Sequence, residues 1–176
     1  MYALTLSPAL YEQITDHCAA SPQQEACGLL AGRGQRVERV LPITNVAANP
    51  ATAYHMDEAE LARVLPLLAQ AGQDVLAVYH SHPDGSTRPS RIDIASWAFP
   101  DAAMMIVSPH TRRASAWRVQ NEDVTPVEIM LGAQASPAVH PPSTFARAAI
   151  ILSALLGGLA VLLIALALLP PAPPIP

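Results

Sequence analysis

The chain has 176 residues, of which 14 % are charged, and its formal net charge is −4. This length allows one domain with a hydrophobic core and one additional segment, and it excludes two domains of ordinary size. The ten basic residues are all arginines and form no basic run, which excludes nucleic acid as a partner. Cys18 and Cys27 are an isolated pair, and the first residues lack the basic and apolar parts of a signal peptide, so we expect reduced thiols in the cytoplasm.

Three segments of the chain carry helix signals. A Ser-Pro pair at Ser7 predicts a helix start, and apolar residues at helical spacing continue the helix over the next turns. Asp57 begins a second helix with a pattern similar to a capping box, and Gly72 ends it. A third, short helix is predicted to begin at Ser90 and to end at Pro100.

The strand signals lie between and after these helices. Short apolar or alternating runs bounded by turn residues predict strands over 27–32, 37–44, 74–82, 103–108, 113–119 and 124–131. Because helices and strands are mixed without a regular alternation, the pattern favours a small α/β sandwich.

The C-terminal part differs in composition from the rest. Residues 132–147 are rich in Ala, Pro and Ser, which predicts a semi-extended linker. Residues 148–169 contain no charge, and a helix of this length would be about 33 Å long, enough to cross the core of a membrane. A buried core helix is the alternative, but such long apolar runs are rare in a domain of this size. We therefore expect a domain over 1–131, a linker, a transmembrane helix and a short tail at 170–176.

The orientation of the membrane segment follows from its flanking charge. Arg147 is the only charged residue beside the apolar run, and it lies on the side of the preceding domain. Basic residues favour the cytoplasmic side of a membrane. The sequence thus predicts a single-pass C-terminal anchor that holds a cytoplasmic domain at the cell membrane.

The segment HSHPDGSTRPSRID (80–93) concentrates residue types that bind metals. Side chains at positions i and i+2 of a strand point the same way, so His80 and His82 can reach one metal ion such as zinc. Asp93 follows a turn and can supply a third ligand from the start of a helix. A simpler interpretation makes Ser90 and Asp93 a capping box and the histidines the polar end of a strand.

This segment as a whole resembles the motif of the JAMM (MPN+) metallopeptidases. Upstream, QEACGLLAG contains Glu25 in a pattern similar to the E-x-C-G-L-L-x-G of the family's bacterial members, and YHMDEAE (54–60) is also similar. The resemblance extends over residues 2–130 and implies a JAMM/MPN-type α-β-α sandwich, which is similar to the fold of cytidine deaminases. It does not include the linker or the membrane segment.

The resemblance also implies a role for each site residue. His80, His82 and Asp93 would bind Zn²⁺, with water in the fourth position. Glu25 would act as general base and then as general acid, and Ser90 would help to hold the tetrahedral intermediate. Zinc can lower the pKa of bound water to about 7, so a carboxylate can take its proton near neutral pH.

The implied function is hydrolysis of an amide bond after the C-terminal glycine of a ubiquitin-like or sulfur-carrier protein. Some family members resemble CysO-cysteine peptidases and others isopeptidases, and the sequence does not separate these two activities. The alternatives are a non-catalytic MPN scaffold that binds a ubiquitin-like partner at the membrane, or a RadC-like domain.

Other candidate residues match no role in the motif. Cys27 has the same strand parity as Glu25, which would allow it to lie near the metal, but we expect it to pack in the core as a small buried thiol. The remaining histidines are expected to be surface or structural residues; they are His17, His55, His110 and His140.

Overall fold

The computed structural model describes residues 3–132 of the chain. In chain order these residues form β1 (Ala3–Leu6), α1 (Pro8–Ala19), β2 (Cys27–Arg33), β3 (Arg36–Ile43), α2 (Glu58–Gln70), β4 (Asp74–Ser81), α3 (Arg91–Ala95), β5 (Ala103–Val107), β6 (Ala114–Gln120) and β7 (Asp123–Leu131). The three predicted helices and six predicted strands are all present. The structure adds β1, which the sequence patterns did not predict.

The predicted transmembrane helix at 148–169 and the tail at 170–176 lie outside the described residues, as does the predicted linker apart from Gly132. Among residues 3–132, no helix is long and apolar enough to span a membrane. The boundary at residue 131 and the membrane anchor therefore stay predictions.

The strands form one sheet in the order β1-β3-β2-β4-β5-β6-β7, and β1 closes it into a barrel. β1 runs parallel to both of its neighbours, pairing Leu6 with Leu131 of β7 and Thr5 with Arg36 of β3. The other neighbours are antiparallel except β4 and β5, which are parallel. The predicted α/β class is confirmed. The expected sandwich did not include a closed sheet. The sheet closes because β1, at the start of the described residues, pairs with β7 at their end.

Helices cover both faces of the central strands. On one face, Ile14 of α1 joins a buried apolar cluster that includes Tyr79 of β4. On the opposite face, Leu61 of α2 packs against a cluster that includes Val78 of β4. α3 contacts a neighbouring cluster through Ile94. Hydrophobic burial on both faces is the main stabilising term for such a layered core.

β4 is a central strand, and its residues from Leu76 to Ser81 are all buried. Since both of its faces are covered, the residues from Val75 to Tyr79 are continuously apolar or aromatic and do not alternate with charged ones. Gly28 of β2 lies opposite Tyr79, and a Cβ atom at this position would clash with the Tyr79 hydroxyl and the Leu41 carbonyl. This close packing fixes the end of β4, where His80 lies.

Candidate metal centre

His80, His82 and Asp93 converge at the carboxyl end of β4. His80 lies within the strand, His82 directly follows it, and Asp93 projects from the first turn of α3. The two imidazole Nε2 atoms are 3.0 Å apart, His82 Nε2 is 3.2 Å from Asp93 Oδ2, and His80 Nε2 is 3.4 Å from Asp93 Oδ1. All three side chains are buried. The structure thus brings together the three residues that the sequence motif singled out as ligands.

The donor set fits a tetrahedral metal site. Zinc–nitrogen bonds are about 2.0–2.1 Å long, so two ligand atoms of a tetrahedral site lie about 3.3 Å apart. The separations of 3.0, 3.2 and 3.4 Å are close to this value. Two imidazole nitrogens at the shortest of these distances repel each other unless a proton or a cation lies between them. The triad is therefore positioned to bind a metal ion.

The pKa values of the three triad residues are shifted in different directions. Burial lowers the pKa of His80, which favours the neutral imidazole that metals require. Burial alone would raise the pKa of Asp93, but hydrogen bonds from His80 and His82 hold it well below its usual range. Burial would lower the pKa of His82, but its hydrogen bond to Asp93 raises it, so this imidazole has to release its proton when a metal binds. The site therefore offers one carboxylate, one neutral imidazole and a second imidazole whose metal binding depends on pH.

Asp93 is oriented by a capping box with Ser90, the residue at the start of α3. The Ser90 backbone N–H donates to Asp93 Oδ2 at 2.7 Å, and the Asp93 N–H donates to Ser90 Oγ at 3.1 Å. The two interpretations of the Ser-x-x-Asp pattern are therefore compatible. The cap fixes the carboxylate that faces the histidines, and it leaves the proton of the Ser90 hydroxyl available to donate.

The loop between His82 and Ser90 is held by the β5–β6 hairpin. Trp117 Nε1 donates to the Thr87 carbonyl at 2.8 Å, and the Ser115 hydroxyl donates to that of Thr87 at 3.0 Å. His110 Nε2 donates to the Pro83 carbonyl at 2.8 Å, so this histidine has the structural role expected for it. The hairpin thus sets the distance between the strand ligands and the helix ligand.

Glu25 lies two residues before β2 and is 6 % exposed. Its neighbour Ala26 pairs with Ser81, since the Ala26 N–H donates to Ser81 Oγ at 3.0 Å and the Ser81 N–H donates to the Ala26 carbonyl at 2.9 Å. This pairing places Glu25 beside the segment that carries both histidines. Among the described residues, its Oε2 atom is buried without a hydrogen-bond partner.

The Glu25 carboxyl is poised to exchange a proton near neutral pH. Burial raises its pKa to about 7, the nearby His82 opposes this rise, and Asp93 adds to it. A general base works best when its pKa lies near the operating pH. The environment of Glu25 therefore suits proton transfer, which is the role that the family resemblance implies.

Two further residues contact the site. The ring of Tyr54 stacks on His80 with centroids 4.5 Å apart and an interplanar angle of 26°. Tyr54 was not singled out from the sequence, although it begins the segment YHMDEAE. Cys27 lies opposite His80 in the sheet, and its thiol donates to the Ile43 carbonyl at 3.5 Å. Cys27 is fully buried in an apolar cluster, so the expectation of a small thiol packed in the core is confirmed, and burial raises the pKa of this thiol to about 12.

Comparisons with known proteins place this geometry in a family. Residues 7–120 match the prokaryotic homologs of the JAB domain. The desampylase of Haloferax volcanii is 35 % identical over 115 residues, which cover 62 % of this chain and 83 % of that relative. The CysO-cysteine peptidase of Mycobacterium tuberculosis is 32 % identical over 137 residues, which cover 74 % of this chain and 93 % of that relative.

The fold is also similar to that of a solved JAB domain structure. The crystal structure of a JAB1/MPN domain protein from Archaeoglobus fulgidus has a TM-score of 0.51 to this chain and is 18 % identical, covering 72 % of this chain and 99 % of the other. The family match includes Glu25 and the whole HSHPDGSTRPSRID segment. The chain therefore belongs to the prokaryotic JAB domain family and is a hydrolytic enzyme of the JAMM type, as that segment predicts.

Proposed function

We propose that the chain is a zinc-dependent peptidase that hydrolyses the amide bond after the C-terminal glycine of a ubiquitin-like or sulfur-carrier protein. The observation that carries this proposal is the convergence of His80, His82 and Asp93 beside the buried carboxyl of Glu25. The substrate class is supported by the names of the relatives, a desampylase and a CysO-cysteine peptidase. A non-catalytic scaffold would not require a buried carboxyl whose Oε2 atom has no partner among the described residues.

In this mechanism His80, His82 and Asp93 would hold the zinc ion. When bound, zinc supplies Lewis acidity and lowers the pKa of a water ligand from about 15.7 to about 7. The Glu25 carboxylate takes the proton of the attacking water and then delivers it to the leaving amine nitrogen. The carbonyl carbon gains the water oxygen and loses that nitrogen, so the products are a carboxylate and an amine.

Ser90 would stabilise the oxyanion that develops during the attack. Its side chain lies at the exposed rim of the site, and its oxygen already accepts a hydrogen bond from the Asp93 N–H. The hydroxyl proton remains free to donate to the substrate oxygen. Such a donor contributes about 3 kcal/mol to transition-state stabilisation.

We also propose that residues 148–169 anchor the enzyme to the inner face of the cell membrane. The support is the uncharged apolar run, with Arg147 on the side of the domain. The linker at 132–147 would then allow the active site to meet adducts close to the bilayer.

Removal of one proposed ligand should remove the metal. We expect dialysed wild-type protein to bind about one zinc ion per chain and His82→Ala to bind almost none, because two remaining ligands hold zinc weakly. The matched control is His55→Ala, since the His55 side chain is exposed. Elemental analysis beside a melting curve measures both effects, and equal zinc in His82→Ala and wild type would refute the ligand assignment.

Glu25→Gln should separate metal binding from chemistry. The variant is expected to keep its zinc and to lose about 100- to 10,000-fold in turnover, the usual contribution of a general base. Turnover is measured as release of the amine from a carrier-protein or ubiquitin-like adduct, with Glu128→Gln as an exposed control. Loss of zinc would make Glu25 a ligand, and full activity would exclude it as the base. Absence of cleavage by the metal-loaded wild type on every such adduct would refute the substrate class.

Ser90→Ala should lower both stability and rate. Loss of the cap costs about 1 kcal/mol of unfolding free energy, and loss of the oxyanion donor lowers kcat about 100-fold. Ser7 provides the control, because its hydroxyl caps α1 by accepting from the Leu10 N–H at 3.2 Å. Ser7→Ala should lose similar stability at unchanged kcat. If Ser90→Ala also keeps its kcat, Ser90 is a helix cap only.

The membrane proposal has a topological test. Full-length protein expressed in bacterial cells should pellet with membranes, and a chain ending before Ala148 should be soluble and equally active on a free adduct. In intact spheroplasts, added protease should leave the catalytic domain undigested until the cells are lysed. Digestion without lysis would place the domain outside, and recovery of the full-length chain in the soluble fraction would refute the anchor.

A further inference from the structure

Asn45 is the second residue after the end of β3, and its side-chain amide makes four hydrogen bonds to backbone atoms. The Nδ2 group donates to the Glu25 carbonyl at 2.8 Å and to the Ala53 carbonyl at 3.1 Å. The Oδ1 atom accepts from the Ala47 N–H at 3.0 Å and from the His55 N–H at 2.9 Å. A side-chain amide can donate two hydrogen bonds and its oxygen can accept two, so all four possible hydrogen bonds of Asn45 are made.

These bonds join two parts of the site that are distant in sequence. One partner is the backbone of Glu25 itself, and the others belong to the loop 46–55, which includes Tyr54. The same loop holds Glu25 from its other backbone group, since the Glu25 N–H donates to the Pro50 carbonyl at 2.6 Å. The Asn45 side chain therefore holds both the backbone of Glu25 and the loop that carries Tyr54, whose ring stacks on His80.

The opposite side of Glu25 is fixed by β4. Ala26 is paired with Ser81, between the two histidines. Without the loop contacts, Glu25 would be an end residue held on one side only, because it precedes the first residue of β2. A shift of about 1 Å in a reacting group can reduce a rate by about 100-fold. The contacts with the loop are thus placed where they control the position of the Glu25 carboxylate relative to the His80–His82–Asp93 triad.

We propose that Asn45 is a positioning residue that sets Glu25 and Tyr54 against the His80–His82–Asp93 triad. This inference rests on the proposed role of Glu25 as general base. Asparagine is suited to the task because the arrangement needs two N–H donors on one side and an oxygen acceptor on the other. Aspartate has nearly the same shape and keeps the oxygen that orders the loop, but when ionised it has no proton for the Glu25 carbonyl.

The test uses Asn45→Asp in the full-length, zinc-loaded protein. We expect zinc content to be unchanged, kcat to fall on the order of 100-fold and KM to stay the same, because the base is displaced and the substrate surface is not. Amide exchange provides a readout independent of activity. The Ala47 and His55 amides should stay protected in Asn45→Asp, which retains their acceptor, and exchange faster in Asn45→Ala.

A double variant identifies the residue through which Asn45 acts. In the Glu25→Gln background, Asn45→Asp should lower kcat no further, since the group that it positions is already absent. Asn49→Asp adds the same charge to the same loop at an exposed position and should keep its kcat.

The outcomes separate this inference from the proposed function. A wild-type protein without cleavage refutes the function itself. An active wild type with an equally active Asn45→Asp overturns the inference alone. Multiplicative losses in the double variant, or loss of zinc or of folding in both Asn45→Asp and Asn45→Ala, would make Asn45 a structural residue and also overturn it.

Discussion

The Asp93 carboxylate receives a hydrogen bond from the Ser90 backbone while its two oxygens face the imidazoles of His80 and His82. These contacts join the end of the central strand to the start of α3, and they occur in a buried environment where an unpaired charge would be costly. The loop between the two elements and the hairpin that supports it are arranged around this convergence. The His80–His82–Asp93 triad therefore also fixes the geometry at this end of the fold.

The site contains two buried carboxyls with opposite environments. Hydrogen bonds from the histidines keep the pKa of Asp93 far below its usual range, whereas burial raises that of Glu25 to about 7. Asp93 is thus a permanent anion suited to hold a cation, and Glu25 can gain and lose a proton. A pair of acids whose pKa values are separated in this way is the usual arrangement for dividing charge stabilisation from proton transfer.

Local sequence predicted most elements and missed those defined by distant partners. β1 has only four residues, and its identity as a strand depends on pairing with β7 and β3. α3 ends at Ala95 and not at Pro100, because the i to i−4 bonding stops after Ser96. The Trp97 N–H donates to the Ile94 carbonyl, three residues before it, and the Trp97 ring lies beside that of Phe99. The loop 46–55 carried no periodic signal, so the sequence indicated neither Asn45 nor the stacking of Tyr54.

The sequence by itself indicated the family through the resemblance of its motif segments. It also indicated the chemical types at the site, because a period of two in a strand and a capping pattern at a helix start are local properties of the chain. The spacing made His80, His82 and Asp93 candidate ligands for that reason, whereas the roles of Ser90 and Glu25 were implied only by the family resemblance. Only the tertiary structure decided that the barrel closes through β1 and that Glu25 lies beside the histidines in a buried environment that raises its pKa. Burial and hydrogen-bond partners of this kind arise from residues far apart in sequence, which come together only when the whole domain packs.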